Sequence, residues 1–173
     1  MFLNTLSGRF LLLTIVFVML SEVMIFVPSV ARFREDYLLA RLERAQIASL
    51  ALLASDDDMV GPRLSEELLQ NAGVYNVVLR RNAVRELMLS SEMPHAIAET
   101  YDLRNASAWV LIRDALTRLG TFEPGAIRVI GQPLRAAGLL IEVTLPTEPL
   151  RAAMIDSGLR VLLPSSAPSS VTA

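Results

Sequence analysis

The interval Phe10–Val27, FLLLTIVFVMLSEVMIFV, constrains this chain more than any other. Its eighteen residues carry one charge, Glu22. At helical rise they would form a rod about 27 Å long, close to the hydrocarbon thickness of a bilayer. Only Thr14, Ser21 and Glu22 interrupt it, so it lacks the polar face that a core helix of a soluble protein presents over about five turns. The pattern predicts a membrane span preceded by a short lead, residues 1–9. A cleavable export signal is the competing reading, because Ser29-Val30-Ala31 fits a small-x-small cleavage pattern, although the apolar run exceeds the usual length of about 7–15 residues. Either version leads the remainder of the chain to a membrane.

Beyond that interval, 173 residues leave room for one domain of ordinary size. The net charge is −2, with charged residues at 20% and no long single-sign block, so the sequence advertises no surface for nucleic acid. Cysteine is absent, which removes disulfides, thiolate zinc sites and cysteine nucleophiles and leaves an exported domain to rely on its apolar core. Every one of the 16 basic residues is arginine, a usage that suggests a high-GC bacterial genome.

Taken in order, Pro28 closes the apolar run and Ser29 can cap a new helix, a stalk over residues 30–55. Val30, Phe33, Tyr37, Leu38, Leu42, Ala45, Ala48 and Leu52 follow three-and-four spacing there, with Arg34, Glu35, Arg41 and Glu43 mostly off that face. Asp56-Asp57-Asp58 and Gly61-Pro62 stop it, and a short helix from Ser65 ends near Gly73. Val74–Arg80 and Val84–Ser90 read as a hairpin. An irregular segment follows Pro94 as far as Asn105, then a helix over Ser107–Leu119 with Trp109, Ile112, Leu116 and Leu119 inward and Gly120 as its C′ residue. Ala126–Gln132 and Leu139–Leu145 form a second strand pair around Pro133–Gly138. From Glu148 a helix with Leu150, Met154, Ile155, Leu159, Val161, Leu162 and Leu163 on apolar positions heads back towards the bilayer, until Pro164 and a polar tail break it. The expected fold class is α+β: a transmembrane helix continuing into a stalk helix, then a small antiparallel sheet with a packed crossover helix, a layering compatible with PAS/Cache-like sensors. The expected organisation is a cytoplasmic lead at 1–9, a span at 10–27, an extracytoplasmic domain at 28–150, and a returning helix with its tail at 151–173.

Few residues suggest chemistry. Arg80, Arg81 and Arg85 surround the first hairpin and could bind a carboxylate or phosphate through guanidinium forks, or could simply be solvated. Glu22 is costly inside a span, by about 2.5–3.5 kcal/mol on insertion scales. It therefore either bonds across a helix pair, which favours a homodimer, or reaches the headgroups. Asp56-Asp57-Asp58 could offer oxygen ligands to a divalent cation but reads better as a helix-ending loop. His95, the single histidine, follows Pro94 in a loop. No glycine-rich phosphate loop, nucleophile elbow or paired-histidine metal motif occurs, so the sequence predicts no catalytic residue, no metal and no cofactor.

Several extended segments resemble the input half of alphaproteobacterial sensor histidine kinases. They are the LSGR before the span, Pro28–Leu38 (PSVARFREDYL), Asn71–Arg81 (NAGVYNVVLRR), Asp102–Leu119, Ile127–Gly131 (IRVIG) and Glu148–Met154 (EPLRAAM). The resemblance implies a span, an extracytoplasmic sensor domain, a second span and then cytoplasmic kinase parts. Here the last helix meets Pro164-Ser165-Ser166-Ala167-Pro168, and no phosphoacceptor or ATP-binding region follows, so autophosphorylation is not carried over. The family implies an amino terminus inside the cell and a periplasmic domain in a bacterial inner membrane. Arginine placement opposes it, with Arg9 before the span and Arg32 and Arg34 after; Glu35 and Asp36 follow at once, and the family orientation is preferred. The reading is thus the signal-perceiving input region of a two-component sensor kinase. Its partners would be the lipid bilayer, a second copy through span and stalk, and a full-length kinase or response regulator pathway. The alternatives are a truncated interaction module and a signal-cleaved periplasmic domain.

Overall fold

A computed structural model describes residues 6–54, 62–80, 86–133 and 138–162. Its first element, α1 (Leu6–Ala54), is one helix of 49 residues with Pro28 inside it. The expected break at Pro28 and helix start at Ser29 are therefore corrected: the proline costs the ladder one N–H, and the helix absorbs it between a lipid-type interval and a packed one. The two halves differ in surroundings. Phe10, Phe17 and Met24 are exposed, and the most apolar stretch of α1 has a mean hydropathy of 2.7 with none of it buried in the fold. This is a helix long and apolar enough to cross a membrane, and its full exposure separates it from the core helix of a soluble domain. From Val30 onward the same helix buries Val30, Ala31, Arg34, Leu38, Leu42, Ala45 and Ala48.

The rest follows as α2 (Pro62–Ala72), β1 (Asn76–Arg80), β2 (Glu86–Ser90), β3 (Ile97–Asp102), α3 (Ala108–Gly120), β4 (Ala126–Gly131), β5 (Leu140–Pro146) and α4 (Thr147–Leu162). The class is α+β, as the sequence pattern indicates. The five strands lie in the order β2-β1-β5-β4-β3. All neighbours are antiparallel except β3 and β4, which run parallel with α3 as the crossover between them, the connection that parallel neighbours require. Strand β3 corrects the irregular segment expected after Pro94. Its burial follows edge-strand alternation, with Tyr101 buried and Thr100 and Asp102 exposed, and Glu99 and Thr100 obscure the apolar period that marks a strand.

The register explains the core. Leu89, Val77, Val143, Val129 and Tyr101 are successive cross-strand partners on five strands, and all are buried. Leu79 and Ile141 form a second such pair, Leu145 and Ile127 a third. These side chains share one cluster with Leu38 and Leu42 of α1, Leu69 of α2, Ala115 of α3, and Leu150 and Met154 of α4. The helices therefore cover one face of the sheet. On the other face Arg128 pairs with Glu142 at 2.9 Å, half exposed, the alternation of a sheet wetted on one side. Fully burying each leucine or valine in that cluster contributes about 1.5–3 kcal/mol.

Two helices expose what sequence spacing placed inside. On α3, Trp109 is 80% exposed and Leu116 is 45% exposed, while Ala115 and Arg118 are buried. Ile112 and Leu119 do pack against the core, while the small Ala115, and not Trp109 or Leu116, lets α3 lie close to its neighbours. Gly120 is the last helical residue, followed by Thr121 in an extended conformation, so no left-handed stop forms there. On α4, Leu150, Met154 and Gly158 are buried, whereas Ile155, Leu159 and Val161 are partly exposed. A Cβ at Gly158 would meet the Phe26 ring at 3.0 Å and Val30 at 3.7 Å. The returning helix thus rests on α1 at the edge of its apolar interval.

Candidate functional site

A polar concavity lies between β3 and α3. Its walls are Glu99, Thr100 and Tyr101 from the strand and Arg113, Asp114 and Thr117 from the helix, enclosing about 330 Å³. Strand alternation turns Tyr101 inward towards the helical layer. Arg113 and Thr117 lie four residues apart on the exposed side of α3, and Asp114 is half buried beside them. Helix α3 is placed by Ser107, an N-cap whose hydroxyl accepts from the Val110 N–H at 3.5 Å.

Beneath this cleft lies Arg34 of α1, 1% exposed. Its guanidinium carbon stands 4.1 Å from the centroid of the Tyr101 ring, a cation–π contact of the kind that gains strength on desolvation. Among the described residues its Nε and Nη2 find no hydrogen-bond acceptor. Burial lowers the Arg34 pKa, opposed by the nearby Tyr101, Asp114 and Glu99. The Tyr101 hydroxyl donates to the Glu99 carboxylate, and its own pKa is pushed up to about 12, first by burial and then by that bond. Arg113 pairs with Asp114 at 3.1 Å. The arrangement is a set of charges balanced across three elements, with α1 as the deepest member.

The residues singled out by sequence lie elsewhere. Arg80 is exposed at the end of β1, and its carbonyl accepts from the Leu139 N–H at 2.7 Å. Arg81 and Arg85 fall outside the described residues, as do Asp56, Asp57 and Asp58. Glu22 is exposed within the apolar interval of α1, and His95 is exposed between β2 and β3. Among the described residues no group of three or more metal-ligating side chains converges. Arg34, Tyr101, Glu99 and Asp114 escaped sequence reasoning. One signal was present: Arg34 sits four residues after Val30 and four before Leu38, on the same apolar arc, where a charge needs a reason.

Comparison with family models, with curated proteins and with solved structures finds no match for this chain.

Proposed function

We propose that the chain is the membrane-anchored extracytoplasmic input region of a bacterial two-component sensor histidine kinase, perceiving a stimulus outside the inner membrane and passing it inward through α1. The observation that carries this reading is continuity: one helix without a break joins the exposed apolar interval to the centre of the α+β core. A rigid rod of that kind converts a small shift in the domain into a shift in the membrane. The approach of α4 to Phe26 and Val30 supplies a second helix at the same level, so the two ends of the domain are brought together where a signal would leave it. In this reading Arg34, held by Tyr101 with Glu99 and Asp114 close by, is the joint between rod and sheet. A second copy would associate along the span and the lower part of α1, with Glu22 facing the partner helix.

Two experiments test the proposal. Alkaline phosphatase and a fluorescent protein, each fused after Leu162, report the side of the membrane: an active phosphatase and a dark fluorophore are expected, and the reverse pattern overturns the orientation. Residues 1–162 placed ahead of the second span and kinase core of a well-behaved sensor kinase should restore membrane-dependent autophosphorylation. Arg34→Ala should shift its level while the chimera stays folded. An output identical in the two chimeras would remove the signalling role.

A further inference from the structure

The turn that ends α2 is fastened to α1. The Gly73 N–H donates to the Gln70 carbonyl at 2.9 Å and the Val74 N–H to the Leu69 carbonyl at 3.1 Å, the bond pair of a Schellman stop. That stop requires a left-handed residue, and Gly73 has φ 68°. The Ala72 carbonyl accepts from Arg41 Nη1 at 2.9 Å, and Arg41 Nη2 donates to the Tyr37 hydroxyl at 2.9 Å. A Cβ at Gly73 would stand 1.9 Å from Arg41 Nη1, so glycine serves both the backbone turn and the passage of the arginine.

Next to this joint is a cavity of about 300 Å³, away from the β3–α3 cleft, at the lower end of the range for small-molecule sites. Leu69, Val74, Tyr75 and Pro146 give it an apolar lining, and Gly73 forms part of its wall. Ser91 ties its far side, its N–H and hydroxyl donating to the Tyr75 carbonyl at 2.9 and 3.0 Å. Glu66 of α2 and Glu92 beyond β2 also line it. Both are exposed, and neither has an ion-pair partner among the described residues. Among the described residues no basic one is part of the lining. The guanidinium in contact with its wall, Arg41, spends Nη1 and Nη2 on neutral acceptors. Two carboxylates against one guanidinium leave a net negative charge over an apolar floor. Among the described residues no third carboxylate or imidazole joins these two to form the group of ligands that a metal ion takes.

We propose that this cavity binds a monovalent organic ammonium ion with a short apolar body, the alkylamine class. Its charge lies at Glu66 and Glu92 and its carbon chain on Leu69, Val74, Tyr75 and Pro146, and its occupancy is passed to α1 through the Gly73–Arg41 joint. The passage to α1 rests on the reading of the chain as a sensor; the binding does not.

The test uses the full chain in lipid nanodiscs with n-butylammonium chloride as probe, n-butanol as its neutral counterpart and sodium chloride as the ionic-strength control, read by titration calorimetry. Saturable one-site binding of the ammonium is expected, about tenfold tighter than that of the alcohol. Glu66→Gln and Glu92→Gln should each weaken it about threefold, and together about tenfold, without lowering the melting temperature, because both side chains are exposed. No saturation, equal binding of butanol, or undiminished binding by the double glutamine variant overturns the site. Saturating ammonium should also slow amide exchange over residues 37–45 of α1 in the wild type and leave it unchanged in Arg41→Met at an ammonium concentration that saturates that variant. Unchanged exchange in the wild type overturns the link to α1. Binding is measured on the purified chain, so its failure is distinct from failure of the kinase-input reading, which the fusions and the chimera decide.

Discussion

The two halves of α1 have almost the same covalent helix and opposite surroundings. Residues 10–25 turn leucine, valine and phenylalanine outward, while residues 30–49 bury one arc and wet the other. The first half is stable only if the medium around it is apolar; the second makes its own apolar medium from the sheet. A helix of this kind has no natural break at the boundary, and even Pro28 does not create one. What changes across it is the partner, and this is why a disturbance in the core half has a mechanical route into the exposed half.

That contrast can be broken most severely by cavity formation. Leu38→Ala, at a fully buried position, should destabilise the domain by about 2–5 kcal/mol, whereas Leu13→Ala, in the exposed interval, should leave the domain's thermal or denaturant unfolding in nanodiscs unchanged. Equal losses would mean that both halves pack against protein. The buried charge is next. Arg34→Ala and Arg34→Met should each cost about 3 kcal/mol, because either one leaves Tyr101 and Glu99 without their cation; a neutral methionine variant would show that the volume, and not the charge, seats α1.

A smaller effect is expected where the core half meets α2. Gly73→Ala places a Cβ in the left-handed region and against Arg41, costing about 2 kcal/mol. A double-mutant cycle with Arg41→Ala should recover part of it, and strict additivity would show that the two do not touch. The weakest effect is titration. The folded Tyr101 pKa, about 12, lies above the ordinary 10 of a free phenol. Its contribution to stability is therefore whole below about pH 10 and is lost as pH rises through about 12. The phenolate absorbance of wild type minus Tyr101→Phe should show a step near 12, and a step near 10 would show that Tyr101 is neither buried nor bonded to Glu99.

Local grammar was readable wherever one residue type dictates one conformation. Gly73 ended a helix, the apolar alternation of β1, β4 and β5 declared strands, and the Phe10–Val27 interval declared its own exposure. Reading failed where a partner from a distant segment decides. The strand around Tyr101 looks irregular because Glu99 and Thr100 break the apolar period, and it becomes a strand because β4 offers it a parallel edge. Trp109 and Leu116 looked like core residues because they are large; Ala115 and Arg118 took their place because a small residue allows close approach and an arginine can donate to the Glu123 carbonyl at 3.1 Å. The candidate site was less readable than the fold, since Arg34, Tyr101 and Asp114 come from three elements whose juxtaposition no local spacing records.

From its order of residues alone this protein acquired a rod of bilayer length, helices and strands in their order, and a chain without thiol chemistry, because those properties depend on residue type and backbone preference within a few residues. Tertiary structure alone decided that the rod runs unbroken into the core, that β3 joins the sheet in parallel, and that a buried arginine becomes tolerable beneath Tyr101. Each of these depends on which surfaces meet, and the free energy of a contact belongs to the pair of surfaces and not to either sequence segment.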